Sequence, residues 1–244
     1  MKKISKLEKK LNASAFAFVV ALAATSYSHA QDTTSAGPYV GLDAVYSNMK
    51  FKQDFGWNIF NKKSAPGVNL FVGHMFHENF GAELGIEFDK QMKRTEKVNA
   101  GNKVAGMLID PALLRSASYK TTVKQRHPYL GFIAKTNVLG DDNSVSLMVG
   151  VSLSHINAQY NYFEDNLGTV NPSITRTFTK TKPVSVVRAA FEHKFNDNFG
   201  LRALATWRNT SQFKIKAKEQ GANPNTMIKL KNTFNVGIGA VYYI

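Results

Sequence analysis

The 244 residues contain no cysteine. Disulfide frameworks, thiol nucleophiles and cysteine-based metal sites are therefore excluded, and the absence suits a protein that crosses an oxidising compartment. Beyond the N-terminus there is no stretch apolar enough for a transmembrane helix, which needs about 20 such residues. Acidic side chains are few: 17 Asp and Glu stand against 31 Lys and Arg, a formal net charge of +14. Metal-ligand spacings, phosphate-cradling glycine loops and redox motifs are missing as well.

What is present begins with an export signal. Lys2, Lys3, Lys6, Lys9 and Lys10 precede an apolar run over 15–24, and Ser28 and Ala30 follow at signal-peptidase spacing. This predicts a cleaved secretory signal over 1–30, with the cut after Ala30, and a short leader over 31–37. The run is too short to anchor the chain as a helix. The five Lys and one Glu of the signal account for four of the positive charges, leaving +10 on the exported chain. Its remaining length suffices for one domain, placed over 38–244.

Eight segments of that domain alternate apolar and polar residues, the period of a β-strand. They are 39–48, 67–76, 80–89, 127–135, 144–154, 183–193, 199–208 and 228–244. In the third, Phe80, Ala82, Leu84, Ile86 and Phe88 face away from Gly81, Glu83, Gly85, Glu87 and Asp89. The last runs to the final residue, with Asn232 the single polar exception on its apolar face. Connections after strands two, four and six are short and rich in Asn, Asp and Gly, as tight turns prefer. Those after strands one, three, five and seven are long, roughly 49–66, 90–126, 155–182 and 209–227. Short and long connections in alternation predict an up-and-down barrel.

Alternation alone also fits a soluble barrel of lipocalin type, with the faces reversed. Three features favour the apolar face outward. The polar face is rich in small residues, among them Gly41, Gly81, Gly85, Gly150, Gly237 and Gly239, as a narrow lumen requires. Its charges nearly balance: Asp43, Glu83, Glu87, Asp89 and Glu192 against Lys135, Arg188, Lys194, Arg202 and Arg208. Enclosed charges have to pair. Aromatics gather at strand ends, where membrane girdles lie: Tyr39, Phe76, Phe80, Phe195, Phe199 and Tyr242 at the short-turn end, Tyr46, Phe88 and Trp207 at the other. The expected fold class is all-β, an eight-stranded antiparallel up-and-down transmembrane β-barrel.

Tyr39-Val40-Gly41-Leu42, Asn79-Phe80-Gly81-Ala82-Glu83-Leu84-Gly85 and the ending Gly237-Ile238-Gly239-Ala240-Val241-Tyr242-Tyr243-Ile244 carry a family resemblance. The exported chain resembles the small outer-membrane β-barrels, the group of the OmpA transmembrane domain and the opacity-type surface antigens, often called porins. The resemblance implies the outer membrane of a Gram-negative bacterium, with periplasmic termini and extracellular long loops. It also implies the barrel-assembly machinery as a partner. Gly239, Tyr242 and Ile244 would form the C-terminal assembly signal, with Ile244 standing where an aromatic is usual.

Since the lumen charges cancel, the positive excess falls in the long connections. Lys50, Lys52, Lys62 and Lys63 lie in the first; Lys90, Lys93, Arg94, Lys97, Lys103, Arg115, Lys120, Lys124 and Arg126 in or beside the second; Lys214, Lys216, Lys218, Lys229 and Lys231 around the fourth. Such a fringe would neutralise lipopolysaccharide phosphates. Alternatively, Lys93, Arg94, Lys97, Lys103, Lys214, Lys216 and Lys218 would bind sulfated host glycans, the adhesin reading that the opacity-type resemblance implies. Export argues against nucleic acid as a partner.

A small porin-like channel is an alternative, although eight strands leave room only for side chains and a plugged lumen is expected. A lipid-modifying enzyme would need a nucleophile and base that converge. Ser152, Ser154 and His155, with Glu87 or Glu192, are the only candidates; Ser154 and His155 fall on opposite faces, and His74 and His77 diverge. No catalytic residue, cofactor or metal is expected, and the barrel is read as a monomer. The apolar segment 104–114 fits a helix on the rim, a partner surface or an extension of strand pairing.

Overall fold

A strand with one apolar face is stable only where that face finds an apolar surround, and closing eight of them leaves no unpaired edge. The structure, a computed structural model, describes residues 37–49, 51–53, 63–98, 103–104, 107–108, 117–166, 169–210, 214–216 and 227–244. The expected signal and, apart from Gly37, the leader lie outside these residues. In chain order the strands are β1 (Gly37–Met49), β2 (Phe51–Gln53), β3 (Lys63–His77), β4 (Phe80–Val98), β5 (Lys103–Val104), β6 (Met107–Leu108) and β7 (Ala117–Asn137). They continue as β8 (Asn143–Asn166), β9 (Thr169–Lys194), β10 (Phe199–Arg208), β11 (Lys214–Lys216), β12 (Met227–Leu230) and β13 (Thr233–Tyr243).

Eight of them close a barrel in the order β1-β13-β10-β9-β8-β7-β4-β3. All neighbours are antiparallel, and the first and last strands close it from Tyr39↔Tyr243 to Asn48↔Phe234. Tight turns join the strands at one end. At the last of these the Asn196 side chain accepts hydrogen bonds from the backbone N–H of Asn198 (3.0 Å) and Phe199 (2.9 Å), an Asx turn.

The apolar set points outward: Phe132 is 74 % and Ile238 70 % exposed, and Leu42, Leu70, Leu130, Leu147, Val149, Leu201 and Val236 stand out with them. Inside lie the charges and a layer of large side chains that small residues accommodate. Phe71 pairs with Gly41, Tyr39 with Gly73 and Tyr129 with Gly85, and a Cβ on any of these glycines would run into its partner's ring or hydroxyl. Tyr39, Phe71, Met75, Tyr129, Ile133, Met148, Val186 and Val241 form this inner cluster.

Four expectations need correction. Tyr39 is not part of the outer girdle: it shares the parity of Asp43 and is buried in the lumen. Nor is the inner face only small and charged, because Gly41, Gly73 and Gly85 each make space for an aromatic neighbour. The stretch 228–244 is not one strand: Leu230 and Thr233 are both buried though three residues apart, which a period of two forbids. The chain breaks at exposed Lys231 and Asn232, where the Lys231 carbonyl accepts from Thr210 Oγ1 at 2.6 Å. Finally, much of the second and third long connections is strand. β4 and β7 stay paired out to Val98↔Ala117, and β8 and β9 out to Asn166↔Thr169; Tyr160, Tyr162 and the Thr175–Thr177–Thr179–Thr181 alternation favour it.

Above the charged lumen these extended strands enclose a second apolar layer, comprising Met49, Ala65, Val123, Ile156, Ala158, Phe178 and Leu230. Within 104–114, only Val104 and Met107–Leu108 are described; with Lys103 they pair as a two-stranded ladder.

Candidate functional sites in the lumen and on the outer face

The parity of β4 aims Glu83 at the barrel axis, where strands β1, β7, β9 and β10 bring four partners to it. Its carboxylate accepts from Arg188 Nη1 (2.6 Å), Arg202 Nη1 (2.9 Å) and the Tyr129 hydroxyl (2.6 Å). Tyr39 approaches from β1 at 3.4 Å. Arg202 also donates from Nε and Nη2 to both oxygens of Asp43, each at 2.8 Å. Asn69 donates to Asp43 (2.6 Å) and Arg188 to Thr206 (3.0 Å). The Arg202 guanidinium lies 3.5 Å from the centre of the Phe71 ring. All four charged groups are buried.

Two further layers flank this centre. Toward the hairpin end Arg208 grips Glu87 with bonds of 3.1 and 2.6 Å, and Asn235 donates to the same carboxylate. Toward the turn end Lys135 meets Glu192 at 3.1 Å, with Tyr243 bonded to both, and Lys194 lies 4.2 Å from the centre of the Tyr243 ring. The structure thus places Asp43, Glu83, Glu87, Asp89, Lys135, Arg188, Glu192, Arg202 and Arg208 all on the inner face.

The sequence did not reveal a cluster around His127. His127 Nδ1 lies 2.9 Å from Ser154 Oγ; Nε2 lies 3.0 Å from Gln125 Oε1 and 3.6 Å from Asp89, which accepts from Ser47 at 2.6 Å. The signal was parity: Gln125, His127 and Tyr129 share one face. Serine, histidine and aspartate do converge, but Ser154 is 0 % exposed, so no acyl carbonyl can reach its hydroxyl in this arrangement. His155, adjacent in sequence, bonds Thr181 at 2.7 Å on the other face.

On the outside, the aromatic ring at the turn end comprises exposed Phe76, Phe80, Phe195, Phe199 and Tyr242; Tyr46, Phe88 and Trp207 mark the other boundary. Immediately beyond that boundary the outer face turns basic. Arg126 is directly opposite Phe88, and Lys124 and Lys120 follow on the same face of β7, all exposed. Lys93 stands exposed on β4, opposite Thr122.

The expected anion-binding residues fall into separate groups. Lys93, Arg94 and Lys97 lie along β4, Lys103 is in β5, and Lys214 and Lys216 are in β11; Lys218 is outside the described residues. At the chain end Gly239 faces Asp43 in the lumen, while Tyr242 and Ile244 are exposed.

An apolar exterior bounded by aromatic rings around a paired, charged interior is the arrangement of a barrel built into a bilayer. No curated protein matches the sequence. Among solved structures the chain is similar to Neisserial surface protein A, at 11 % identity over 85 % of this chain and 97 % of that one, TM-score 0.43. It is similar to OprG of Pseudomonas aeruginosa at 11 % identity, over 87 % and 99 % of the chains, TM-score 0.48. A third is Ail, the attachment invasion locus protein of Yersinia pestis, in complex with the heparin analogue sucrose octasulfate: 13 % identity, 84 % and 99 % covered, TM-score 0.37. The model of the outer membrane protein beta-barrel domain matches residues 15–242, nearly the whole chain, and the protein belongs to that outer-membrane β-barrel family.

Proposed function

We propose that the protein is a non-catalytic surface barrel whose basic outer band holds lipopolysaccharide phosphates. In this reading the short turns and both termini face the periplasm, and the long hairpins stand outside the cell. The observation that carries it is the level of Arg126, which sits across from Phe88 at the aromatic boundary, with Lys124 and Lys120 stepping away from it. Phosphates lie at that height, just above the hydrocarbon. A strand rises about 3.3 Å per residue, so the band covers the headgroup layer and not the acyl region. Gly239, Tyr242 and Ile244 would present the assembly signal from the last strand, and the barrel would act as a monomer.

The test compares thermal unfolding in phospholipid vesicles with and without lipopolysaccharide. Each exposed charge contact is worth about 0.2–1 kcal/mol. A variant with K93Q, K120Q, K124Q and R126Q should lose most of the lipopolysaccharide-dependent rise in Tm and keep its Tm in phospholipid. A variant that retains the full rise would sink the reading.

The channel alternative predicts current. With its lumen crossed by three layers of ion pairs and a further apolar layer, the barrel is expected to give no discrete conductance steps in a planar bilayer. Regular steps from the unmodified protein would show that the interior opens.

A further inference from the structure

The turn end of the lumen holds a cavity of about 30 Å³, with Lys135, Ser146, Arg188, Ala190, Glu192 and Tyr243 among its lining side chains. About 10–15 Å³ holds one water, so the space takes two waters or one small ion. Ser146 on β8 is paired with Lys135 on β7 and with Ala190 on β9. Two short side chains next to each other make the room. The side chains of Lys135 and Glu192 are 14 % and 13 % exposed, which leaves the cavity reachable from the turn end.

Arg188 is buried, and its donors are unevenly used. Nε donates to Thr206, and Nη1 to Glu83 and the Tyr129 hydroxyl. Nη2 is buried with no partner among the described residues, and a buried donor without a partner is costly. The carboxylates at the cavity are already engaged: Glu83 by Arg188, Arg202 and Tyr129, and Glu192 by Lys135 and Tyr243. Lys135 has three N–H groups and uses two, on Glu192 and Tyr243, leaving a third. Charge points the same way. This half of the lumen carries Lys135, Arg188, Lys194 and Arg202 against Asp43, Glu83 and Glu192, four cations to three carboxylates. Asp141, Asp142 and Asp197 in the turns are exposed, where water and salt screen them. A water in the cavity would satisfy Nη2 and leave the excess positive charge, whereas an anion answers both.

We propose that this cavity binds one small monovalent anion, of the size of chloride, held by Arg188 Nη2, the third N–H of Lys135 and the Ser146 hydroxyl. The five heavy atoms of a sulfate or phosphate exceed the space. The site lies inside the lumen, at the opposite end from the basic outer band, and stands whether or not that band holds lipopolysaccharide.

The experiment uses bromide as the probe. Crystals of the full-length protein, refolded in detergent, are grown in sodium bromide and their anomalous scattering is recorded. A bromide peak is expected in the cavity, within hydrogen-bond distance of Arg188 Nη2. In solution, thermal unfolding is compared in sodium bromide and in sodium gluconate at equal ionic strength, gluconate being too large for the cavity. Bromide at ten times its Kd should raise the folding constant about tenfold, and the gain should saturate. Lys194→Gln removes the excess cation without touching the hydrogen bonds of Arg188, and Ser146→Val fills the space. Each should lose most of the gain, with its folding checked by migration before and after boiling, while K120Q/K124Q/R126Q should keep the gain whole. A cavity without a bromide peak overturns the proposal and assigns the space to water. A gain undiminished in both lumen variants, or lost equally in the outer-band variant, also overturns it, because the bromide would then act at the surface. If neither lumen variant refolds, the peak in the parent crystals decides.

Discussion

Glu83→Gln is expected to lower the unfolding free energy by about 3–5 kcal/mol, the cost of leaving one side of a buried ion pair without its partner. The change is nearly isosteric, so it leaves packing intact and removes only charge. Two guanidinium groups then face an amide, with Asp43 as the one remaining carboxylate within reach of Arg202. Arg188 suffers more, since its other partners are the neutral Thr206 and Tyr129. The measurement is the urea midpoint of the protein folded in lipid vesicles. Adding Arg188→Met should recover part of the loss, because replacing a complete buried pair by apolar groups is often neutral. A single variant that unfolds within about 1 kcal/mol of the parent would mean that the network contributes little and that the lumen is well hydrated.

That network shows where reading residues in a line stops. The alternation over 80–89 and 233–244 makes the inner and outer faces legible, because one face must satisfy lipid and the other must not. It names Asp43, Glu83, Arg188 and Arg202 as inner residues. It does not say that Arg202 reaches Asp43 across the β10–β13–β1 seam, since that depends on closure and stagger, which arise only when the first strand meets the last. Tyr39 was misplaced because its aromatic ring outweighed its parity. His127 escaped notice because its partners, Ser154 and Asp89, lie 27 and 38 residues away along the chain, on neighbouring strands.

The outer parts of the hairpins were harder still. Before His127 the inner face of β7 mixes polar Thr121 and Gln125 with Val123, all buried, and the outer face carries Lys120, Lys124 and Arg126, so the alternation sets polar against polar and leaves little period-two trace in hydrophobicity. The pairing of Lys93 with Thr122 or Tyr160 with Thr121 is continued from the barrel below. Asn232 is the opposite case, a visible irregularity. A lone polar residue in an otherwise clean apolar row marks the break between β12 and β13.

The lumen also sets a limit on side-chain size, and Gly239→Val should exceed it. Gly239 pairs with Asp43 on β1 and with Arg202 on β10, so it sits under the bidentate ion pair that spans the closing seam. A Cβ at this position would overlap the Asp43 carboxylate and the Leu42 carbonyl oxygen. The backbone cannot yield without opening the β1–β13 ladder. The carboxylate cannot swing away without giving up Arg202 and Asn69. Overpacking of this kind costs about 1–3 kcal/mol, and displacing Asp43 adds the penalty of a broken buried pair, about 3–5 kcal/mol. Their sum approaches the whole stability of an ordinary domain, about 5–15 kcal/mol. After refolding into detergent, Gly239→Val should therefore give little or none of the compact band that shifts on boiling, whereas Ile238→Val, one residue away on the lipid face, should fold as the parent does. If Gly239→Val refolds as well as the parent, Asp43 is mobile and the seam is not held by its ion pair.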